Sequence, residues 1–363
     1  MLKRLLSISL LACFFPFAFS QPHQPKLTPQ NSHTDQLLIA VSPVNPRVVW
    51  ASGTGGTFVV TEDGGAHWRS GVVAGAENLQ FRDVQGVSDK VAYLSSIGDN
   101  TGDFRIYKTV DGGAHWKIEF QNQTDGAFYD CFAFWTPRRG IAHSDSVNGV
   151  FPDIRTDDGM TWESISGNMP PALPGEASFA ASGTCVATQG GRNAWIATGG
   201  SETARVLATR DRGDTWHAYD TPLVSSASAG AISVAFRDPW HGMVGGGDLA
   251  ANDAADAATS RDGGVTWTLT KKPPVQGAIF CLSYVRGGGH DDADHGGQGF
   301  ARTVVITAET APDFDSGSAA WTPDEGNTWF ALPHVSGFWA VAFATPKAGW
   351  FVGNGGKIVK ISF

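Results

Sequence analysis

The sequence predicts an all-β protein in which four-stranded sheets repeat around a common axis, and three observations lead to this prediction. Gly and Pro occupy 64 of the 363 positions, 45 and 19 respectively, against a usual combined share of about 12 percent, which favours turns over long helices. An eight-residue motif, which we call the octet, recurs six times at intervals that suit a four-stranded unit. Short apolar runs bounded by turn residues lie between the copies, as expected of strands.

The octet has the form Ser/Thr-x-Asp-x-Gly-x-x-Trp, and five copies keep this pattern. The third copy along the chain, residues 155–162, has Arg155 where the hydroxyl residue belongs and Asp157 as its aspartate. Successive tryptophans are 48, 46, 54, 51 and 62 residues apart. The aspartate and tryptophan of each copy are, in chain order, Asp63 and Trp68, Asp111 and Trp116, Asp157 and Trp162, Asp211 and Trp216, Asp262 and Trp267, and Asp324 and Trp329.

Each octet is expected to form a tight hairpin turn. Its aspartate accepts backbone N–H bonds within the turn, its glycine supplies a positive φ, and its tryptophan packs beside the sheet. Around the first copy, strands are predicted at residues 36–42, 47–52, 56–60 and 67–70. The octet then joins the third strand to the fourth, at the periphery of the sheet. We therefore interpret the octet aspartates and tryptophans as determinants of the fold, and no catalytic residue is predicted.

The repeats define six units and a remainder, which together predict a seven-bladed β-propeller as a single domain over residues 21–363. The units are predicted at residues 36–73, 77–120, 127–167, 177–221, 229–271 and 277–332. Residues 337–363 supply three further strands and no octet. The missing fourth strand is expected from residues 25–33, which precede the first unit. The two chain ends would then close the last blade together and leave no exposed sheet edge.

The first twenty residues have the pattern of a secretory signal peptide. Lys3 and Arg4 form a basic start, residues 5–17 an apolar stretch, and residues 18–20 a small-x-small cleavage site. We expect an exported protein, periplasmic or extracellular, that begins near Gln21. Lipoprotein anchoring at Cys13 is the alternative, and it fits less well because the apolar run continues past that residue. No later segment has the roughly 20 apolar residues of a transmembrane span.

The mature chain is anionic, with 24 basic and 35 acidic residues and a formal charge of −11 once Lys3 and Arg4 are removed. Nucleic acid and anionic membrane surfaces would be repelled on average, and no basic patch offsets this repulsion. We therefore predict no nucleic-acid partner.

Three cysteines remain in the mature chain, and each lies in an apolar run typical of a strand. We interpret Cys131, Cys185 and Cys281 as buried small hydrophobic residues. A disulfide or a reactive thiol is the alternative interpretation, and an odd number of cysteines cannot pair completely.

The six octets resemble the Asp-box, or BNR, repeat of sialidases and related propellers. Two longer phrases, FRDPWHG at residues 236–242 and FATPKAGWFVG at residues 343–353, are most similar to the photosystem II stability/assembly factor family, which has widespread bacterial members. The resemblance covers essentially the whole mature chain. It implies an exported seven-bladed propeller that acts as a protein-binding or assembly scaffold without chemistry of its own. Arg155, the last unit without an octet, and the long inserts of the sixth unit depart from the family pattern.

A secreted glycoside hydrolase of the sialidase type, or a carbohydrate-binding propeller, is the alternative function. Sialidases hold the substrate carboxylate with three arginines, the first usually in an Arg-Ile-Pro context, and use a Tyr nucleophile with a Glu partner. Before the first octet the mature chain has only Arg47, which Val48 and Val49 follow. Three arginines converging on the axis with a Tyr–Glu pair would favour the enzyme. Their absence would favour the scaffold.

The loops between the second and third strands of the units are acidic, and they are expected to share one rim with the starts of the inner strands. Their ten carboxylates are Asp99, Asp103, Asp145, Asp153, Glu202, Asp248, Asp253, Asp256, Asp313 and Asp315. We hypothesise an anionic rim that recruits a basic protein surface or a divalent cation. Ordinary solvation of loops is the alternative interpretation.

Several side chains are candidates to face the central channel. Arg82, Asp130, Phe179 and Arg237 lie at or near the starts of inner strands, and His143 lies in a second strand. The alternative is that each of them is a structural group lining the channel. Residues 170–175, with the sequence PPALPG, predict a stiff connector that shapes the rim.

Residues 287–297 combine two His and three Asp, of which His290, Asp292 and His295 are weak candidates for metal ligands. Flanking glycines favour a flexible, solvated loop instead. No P-loop, dinucleotide fingerprint, nucleophile elbow or paired-cysteine metal site occurs, so no cofactor is predicted. We expect a monomer with a protein partner, and carbohydrate is the alternative ligand.

Overall fold

Seven four-stranded antiparallel sheets contain all 28 strands in the part of the chain that the structure describes. The structure is a computed structural model, and it describes residues 24–252, 254–285, 302–312, 314 and 316–363. The sheets surround one axis as blades, which confirms the predicted all-β, seven-bladed propeller. The predicted signal peptide lies outside the described residues. Among those residues no helix is long and apolar enough to cross a membrane.

Within blades 1 to 6, the strands follow one another from the axis outward in chain order. Blade 1 contains β2 (Leu38–Pro43), β3 (Val49–Gly53), β4 (Thr57–Thr61) and β5 (Arg69–Val72), and blade 2 contains β6 (Gln80–Gly86), β7 (Ala92–Ile97), β8 (Arg105–Thr109) and β9 (Lys117–Gln121). Blade 3 contains β10 (Tyr129–Thr136), β11 (Arg139–Ser144), β12 (Ile154–Thr156) and β13 (Glu163–Ser164), and blade 4 contains β14 (Val186–Gln189), β15 (Asn193–Thr198), β16 (Arg205–Thr209) and β17 (His217–Asp220). Blade 5 contains β18 (Ala229–Phe236), β19 (Gly242–Asp248), β20 (Asp256–Ser260) and β21 (Thr268–Leu269), and blade 6 contains β22 (Ala278–Tyr284), β23 (Val304–Glu309), β24 (Ser318–Thr322) and β25 (Phe330–Leu332).

The two ends of the chain form blade 7 together. Its strands from the axis outward are β26 (Phe338–Thr345), β27 (Ala348–Gly353), β28 (Lys357–Ser362) and β1 (Lys26–Asn31). β1 pairs with β28 in a continuous antiparallel register from Lys26 opposite Ser362 to Asn31 opposite Lys357. The predicted closure by the N-terminal strand is confirmed, and it gives the outermost strand of the last blade a covalent link to blade 1.

Six of the seven inner strands contain a β-bulge near the start of the strand, and β10 and β26 contain a second one near the end. In β6, Phe81 pairs with Ser96 and Asp83 pairs with Ser95, so Arg82 has no opposite residue in β7. The bulged residues are Ile39, Arg82, Asp130, Ile232, Phe280 and Trp339. Because a bulge re-aims one side chain without ending the strand, each of these blades presents one additional side chain near the axis.

The inner strand of blade 4 is interrupted. Ala177 bridges to Gly199, and regular pairing begins again only at Val186. Between them Gly183 has a φ of 75°, and a Cβ at this position would collide with the Asp83 carboxylate of blade 2. The segment over residues 178–185 therefore leaves the sheet and reaches across the axis.

Hydrogen bonds from one inner strand to the next join neighbouring blades just beyond the bulges. Asp83 Oδ2 accepts the N–H of Phe132 at 2.9 Å, and Ser233 Oγ accepts the N–H of Leu282 at 2.9 Å. The sulfur atoms of Cys131 and Cys281 accept the equivalent N–H groups of Cys185 and Val341, at 3.2 and 3.4 Å. Between blades 4 and 5 the Thr184 carbonyl accepts the N–H of Val234 at 3.0 Å. Five blade junctions thus have a hydrogen bond at this level, with a side-chain acceptor at four of them and a backbone carbonyl at the fifth.

The octets form hydrogen-bonded turns at the third-to-fourth strand connections. In blade 1, Thr61 Oγ1 donates to Asp63 Oδ1 at 2.9 Å and accepts the N–H of Gly65 at 3.0 Å, while Asp63 accepts the N–H of His67 at 2.9 Å. The octets of blades 2, 4, 5 and 6 repeat this pattern. The fourth and fifth octet residues both have positive φ, as Gly64 and Gly65 do.

The octet of blade 3 is one residue shorter, and its aspartate is Asp158. Thr156 donates to Asp158 at 3.2 Å, and Asp158 accepts the N–H groups of Met160 and Thr161 at 2.8 and 2.7 Å. The assignment of Asp157, with Arg155 at the hydroxyl position, was therefore wrong. Asp157 is exposed and pairs with Arg139 at 3.3 Å. The turn is shorter because it contains one positive-φ residue, Gly159, instead of two.

The octet tryptophans pack against the preceding blade. Trp116 of blade 2 meets Trp50 and Phe58 of blade 1 edge-on, at ring-centroid distances of 6.2 and 5.2 Å. The tryptophans of the other octets join clusters that contain core residues of the blade before them. Each such ring removes a large apolar area from water at a blade junction. Each octet therefore also stabilises the contact between its own blade and the preceding one.

A disulfide joins blades 3 and 4. Cys131 in β10 is bonded to Cys185 just before β14, with their Cα atoms 6.0 Å apart, and Cys281 is free and buried. The predicted burial of all three cysteines is confirmed. The disulfide corresponds to the alternative interpretation, and the sequence could not assign the pair because the apolar surroundings of Cys131 and Cys185 do not differ from those of Cys281.

Replacing Asp158 by Ala should destabilise the protein more than replacing its neighbour Asp157. Backbone N–H groups of Thr161 and Met160 lower the pKa of Asp158 to about 2, and both lose their acceptor in Asp158→Ala. We expect its thermal unfolding midpoint to fall by about 2 °C or more, the scale of a lost capping residue in a large domain. Asp157→Ala loses only an exposed ion pair and should match the wild type. Equal shifts for both variants would contradict the revised octet.

Candidate functional site

The two faces of the propeller differ in the loops that they carry. The loops between second and third strands and the starts of the inner strands open on one face, which we call the loop face. The octets and the connections from first to second strands lie on the opposite face, the octet face. This division follows from the antiparallel order of strands within every blade. The bulges lie near the starts of the inner strands, so their side chains surround the axis towards the loop face.

An apolar cluster closes the axis. Ile39, Ile232, Phe280 and Trp339, the bulged residues of blades 1, 5, 6 and 7, pack together with Ala181 from the irregular segment of blade 4. Blades 1 and 4 are not neighbours in the ring, so these residues meet only at its centre. All five are buried, and Trp339 is the most exposed of them at 8 percent. The expected central channel is therefore filled at this level, and a ligand can approach only its mouth.

Blades 2 and 3 contribute charged side chains to this mouth. The Arg82 guanidinium donates through Nη1 to the Ala180 carbonyl at 2.9 Å, and its Cζ lies 5.5 Å from the centroid of the Trp339 ring. Its Nε has no hydrogen-bond partner among the described residues. Burial lowers the pKa of Arg82 to about 10, although the nearby Asp130 carboxylate opposes this effect. The arginine thus lies across the axis between blades 2, 4 and 7.

Asp130 and Asp145 form a buried carboxyl pair beside Arg82. Asp130 is the bulged residue of β10, and Asp145 follows β11 in the same blade. The two carboxyl groups are within hydrogen-bonding distance, and burial raises the pKa of both. A hydrogen bond from the N–H of Ser178 to Asp145, at 2.8 Å, partly offsets its shift. Two carboxyl groups in such contact share a proton more readily than they ionise together.

His143 lies inside blade 3. It is completely buried, and its Nδ1 lies 2.9 Å from Oδ2 and 3.0 Å from Oδ1 of the equally buried Asp153. Asp153 also accepts the N–H of Ser144 at 3.1 Å. The pair fixes the loop between β11 and β12 against the second strand of blade 3.

A pocket of about 630 Å³ opens on the loop face next to the carboxyl pair, and we call it the blade 3 pocket. Asp145, Ser146 and Asn148 line one side, and the connector from Ala172 to Ala177 lines the other. The Pro-rich connector thus shapes this face, as its sequence predicts. Glu176 holds it in place, because its buried carboxylate pairs with both Nε and Nη2 of Arg205 and accepts the Thr198 hydroxyl at 2.7 Å.

The remaining rim carboxylates are only partly available to a ligand. Asp103 accepts hydrogen bonds from the side chain and backbone of Asn100, which lower its pKa, and lies 3.5 Å from Arg105. Asp248 accepts the Ser228 hydroxyl at 2.8 Å. Burial raises the pKa of Asp256 to about 6. Asp99 and Glu202 are exposed, and Asp253, Asp313 and Asp315 lie outside the described residues.

Arg237 lies on the octet face, so its placement near the channel was wrong. It follows β18 instead of preceding it, and the end of an inner strand opens on the face opposite to its start. Its Nε pairs with Glu325 Oε1 at 2.7 Å, and its Nη1 pairs with Asp238 Oδ2 at 2.7 Å.

The Glu325 carboxylate also accepts the Tyr284 hydroxyl at 3.1 Å and pairs with Arg302 Nε at 3.0 Å. A Tyr–Glu pair with two arginines therefore exists, but it lies between an octet and the end of β22. Glu325 pairs with both arginines, and Tyr284 and Glu325 are buried. This network is not the axial arrangement that would favour a sialidase.

The weak metal candidates His290, Asp292 and His295 lie outside the described residues. Within residues 24–252, 254–285, 302–312, 314 and 316–363, no three His, Cys, Asp or Glu side chains are grouped as a metal site requires.

Two solved structures have the same architecture as this chain. One is of YCF48 bound to D1 peptide, with a TM-score of 0.63 over 95 percent of this chain and 99 percent of that one, at 15 percent identity. The other is of YCF48 from Cyanidioschyzon merolae, with a TM-score of 0.62 over 93 and 98 percent, at 16 percent identity. The likeness is one of fold. No protein-family model and no curated protein matches the chain.

Sequence reasoning identified Arg82, Asp130 and Asp145 but missed their partners. Trp339, Asp83 and the Glu176–Arg205 pair are equally important to the loop face. A charged residue at position 83, between the apolar Phe81 and Val84 of a predicted inner strand, is the one signal that could have indicated a polar layer at the axis.

Replacing Asp130 by Asn should change how stability depends on pH. Because burial raises the pKa of Asp130, the folded protein keeps a proton that the unfolded chain releases above about pH 4. The contribution of this residue to the free energy of unfolding therefore falls as the pH rises from about 4 to the higher pKa of the folded state. Asn cannot ionise, so the stability of Asp130→Asn relative to wild type should increase between pH 5 and pH 8 in urea titrations.

The matched control is Asp35→Asn, at an exposed position. Its stability relative to wild type should be nearly constant over the same range. A constant difference for Asp130→Asn as well would show that Asp130 is not held in its protonated form by burial.

Proposed function

We propose that this protein is an exported, non-catalytic scaffold that binds a segment of a protein partner on its loop face, in the manner of the photosystem II assembly factor-like and Asp-box propellers. The observation that carries the proposal is the combination, on one face, of a closed axis, a charged mouth and an adjoining polar pocket. A segment of polypeptide can contact all of these at once, whereas a small substrate would occupy only one.

Exposed apolar side chains flank the blade 3 pocket and support a macromolecular partner. Phe128 and Val150 are 38 and 48 percent exposed; Phe128 lies two residues after Gly126 and Val150 directly follows Gly149, both of which line the pocket. Apolar side chains next to a polar, concave surface are typical of protein-binding sites. The loops that carry them are held by hydrogen bonds, since the N–H of Asp145 donates to the Phe128 carbonyl at 2.8 Å. A largely pre-formed surface lowers the entropic cost of binding.

The comparison with YCF48 agrees with this proposal. A protein of the same fold has been solved with a peptide bound, so the architecture accommodates peptide recognition. At 15 percent identity we transfer only the class of ligand, a protein segment, and not its sequence. We further propose that binding takes place outside the cytoplasm, on the basis of the signal-like first twenty residues.

Site-specific photocrosslinking in cells of the source organism tests the proposal. Benzoylphenylalanine at Phe128 or Val150, on the loop face, should give discrete crosslinked adducts with a partner protein. The same group at Val265 or Met160, in octets, provides matched controls, because these residues are 38 and 52 percent exposed and lie on the opposite face. We expect adducts from the loop face alone.

Equal adducts from both faces, or adducts from the octet face only, would contradict the proposed site. A glycan array probed with the purified protein completes the test. Binding to glycans without any protein adduct would favour the carbohydrate-binding alternative.

A further inference from the structure

The connections at the two ends of the second strands have opposite charge. Every connection from a first to a second strand, on the octet face, contains a described Lys or Arg residue, whereas the connections from second to third strands, on the loop face, contain none. The sequence has no basic run, and only the topology brings the basic residues into one ring around the axis. We call this set the basic ring, and its members are Arg47, Lys90, Arg138, Arg192, Arg237, Arg302 and Lys347.

Three members of the basic ring form ion pairs. Arg237 and Arg302 both pair with Glu325, and Lys90 lies 3.2 Å from Asp89. The other four are exposed and form no ion pair with a carboxylate in the part of the chain that the structure describes. They belong to blades 1, 3, 4 and 7, and they are Arg47, Arg138, Arg192 and Lys347.

An exposed tryptophan lies in the same ring of connections. Trp240 is 52 percent exposed, and Asp238 fixes its turn by accepting the N–H groups of Trp240 and His241 at 2.8 and 2.9 Å. The Cζ atom of Arg210 lies 5.2 Å from the centroid of the indole, while its Nη2 donates to the Asp262 carbonyl at 2.9 Å. The indole is therefore held at the surface beside a positive charge. Tryptophan next to basic side chains is typical of proteins that lie at a membrane–water interface.

We propose that the octet face docks on an anionic phospholipid surface, with the basic ring against the lipid phosphates and Trp240 in the headgroup layer. The four unpaired cations of the ring belong to four blades around the axis, so one small anion cannot contact them all. A phospholipid surface offers a phosphate to each. The same surface repels the loop face, whose second-to-third strand connections contain carboxylates and no Lys or Arg. Docking therefore leaves the loop face open to solvent.

The charge of the whole chain limits this attraction to short range. The mature chain is anionic, with 24 basic and 35 acidic residues, so the ring acts only within about one Debye length of the lipid, about 10 Å in 0.1 M salt. The octet aspartates lie further from the axis than the ring, and they are bound to backbone N–H groups of their own turns. Binding should consequently depend strongly on salt, and each cation removed should weaken it about fivefold.

Cosedimentation of the mature protein with sucrose-loaded vesicles tests the proposal. One set of vesicles contains phosphatidylcholine alone, and the other contains equal amounts of phosphatidylcholine and phosphatidylglycerol. In about 50 mM salt we expect the protein to bind the anionic vesicles at least tenfold more tightly than the neutral ones. Binding should disappear in about 0.5 M salt, because the interaction with the phosphates is then screened.

Variants of the ring separate its role from that of the rest of the surface. Arg138→Gln combined with Arg192→Gln should weaken binding to the anionic vesicles at least tenfold. The matched control is Lys271→Gln combined with Lys272→Gln, which removes two exposed cations of the loop face and should leave binding within twofold. Trp240→Ala should weaken binding about threefold or more without changing its salt dependence, because an apolar and not a charged group is lost.

Equal binding to both kinds of vesicle, no binding to either, or an unchanged affinity in the double arginine variant would overturn the inference. Binding of fluorescent polyglutamate without binding of vesicles would assign the ring to an acidic protein segment and would overturn it as well. Circular dichroism melting shows whether the double variant is folded, and the two single variants replace it if it is not. The inference does not depend on the proposed function. If crosslinks form from Phe128 or Val150 but vesicles do not bind, the scaffold function stands and only the membrane docking fails.

Discussion

A β-bulge near the start of six of the seven inner strands is the constraint on which the rest of this propeller depends. The bulge sends one side chain to the axis and positions the next residue to accept a backbone N–H from the following blade, as Asp83 does from Phe132 and Ser233 from Leu282. The same local event therefore fills the centre of the ring and joins its blades. Where blade 4 lacks a regular bulge, its segment over residues 178–185 crosses the axis, and the Thr184 carbonyl takes over as acceptor. Further from the axis, the octet tryptophans pack between neighbouring blades and stabilise the same junctions.

This constraint also determines where binding chemistry can lie. The bulged positions of blades 1, 5, 6 and 7 hold apolar residues that close the axis, while those of blades 2 and 3 hold Arg82 and Asp130. The mouth of the axis is consequently asymmetric, because its bulged positions carry charge only in blades 2 and 3. The buried Glu176–Arg205 pair and the Pro-rich connector place a pocket in the same sector. The repeated architecture thus presents charge at two neighbouring bulged positions beside this pocket.

The sequence predicts the architecture well because its signals are local. Octets recur at blade period, and the short last unit requires a partner strand, so seven blades closed by the N-terminus can be inferred without a structure. The site is harder to infer. Bulges depend on contacts between blades, which the sequence does not show. Two consecutive aspartates at positions 157 and 158 made the octet residue ambiguous, and the structure identifies it as Asp158. Cys131 and Cys185 have the same apolar sequence context as the unpaired Cys281. Arg237 was misplaced because it ends its strand, whereas Arg82 and Asp130 lie near the starts of theirs.

Native-state hydrogen exchange followed residue by residue tests the central role of the bulges most directly. The amide protons of Phe132, Leu282 and Val341, which donate across blade junctions just beyond the bulges, should exchange only through global unfolding and be among the slowest in the molecule. The amides of Asn148 and Gly149, at the exposed tip of the loop between β11 and β12, should exchange orders of magnitude faster. If the three junction amides exchange as fast as that loop, the blades are not held together at the bulges and the account is contradicted.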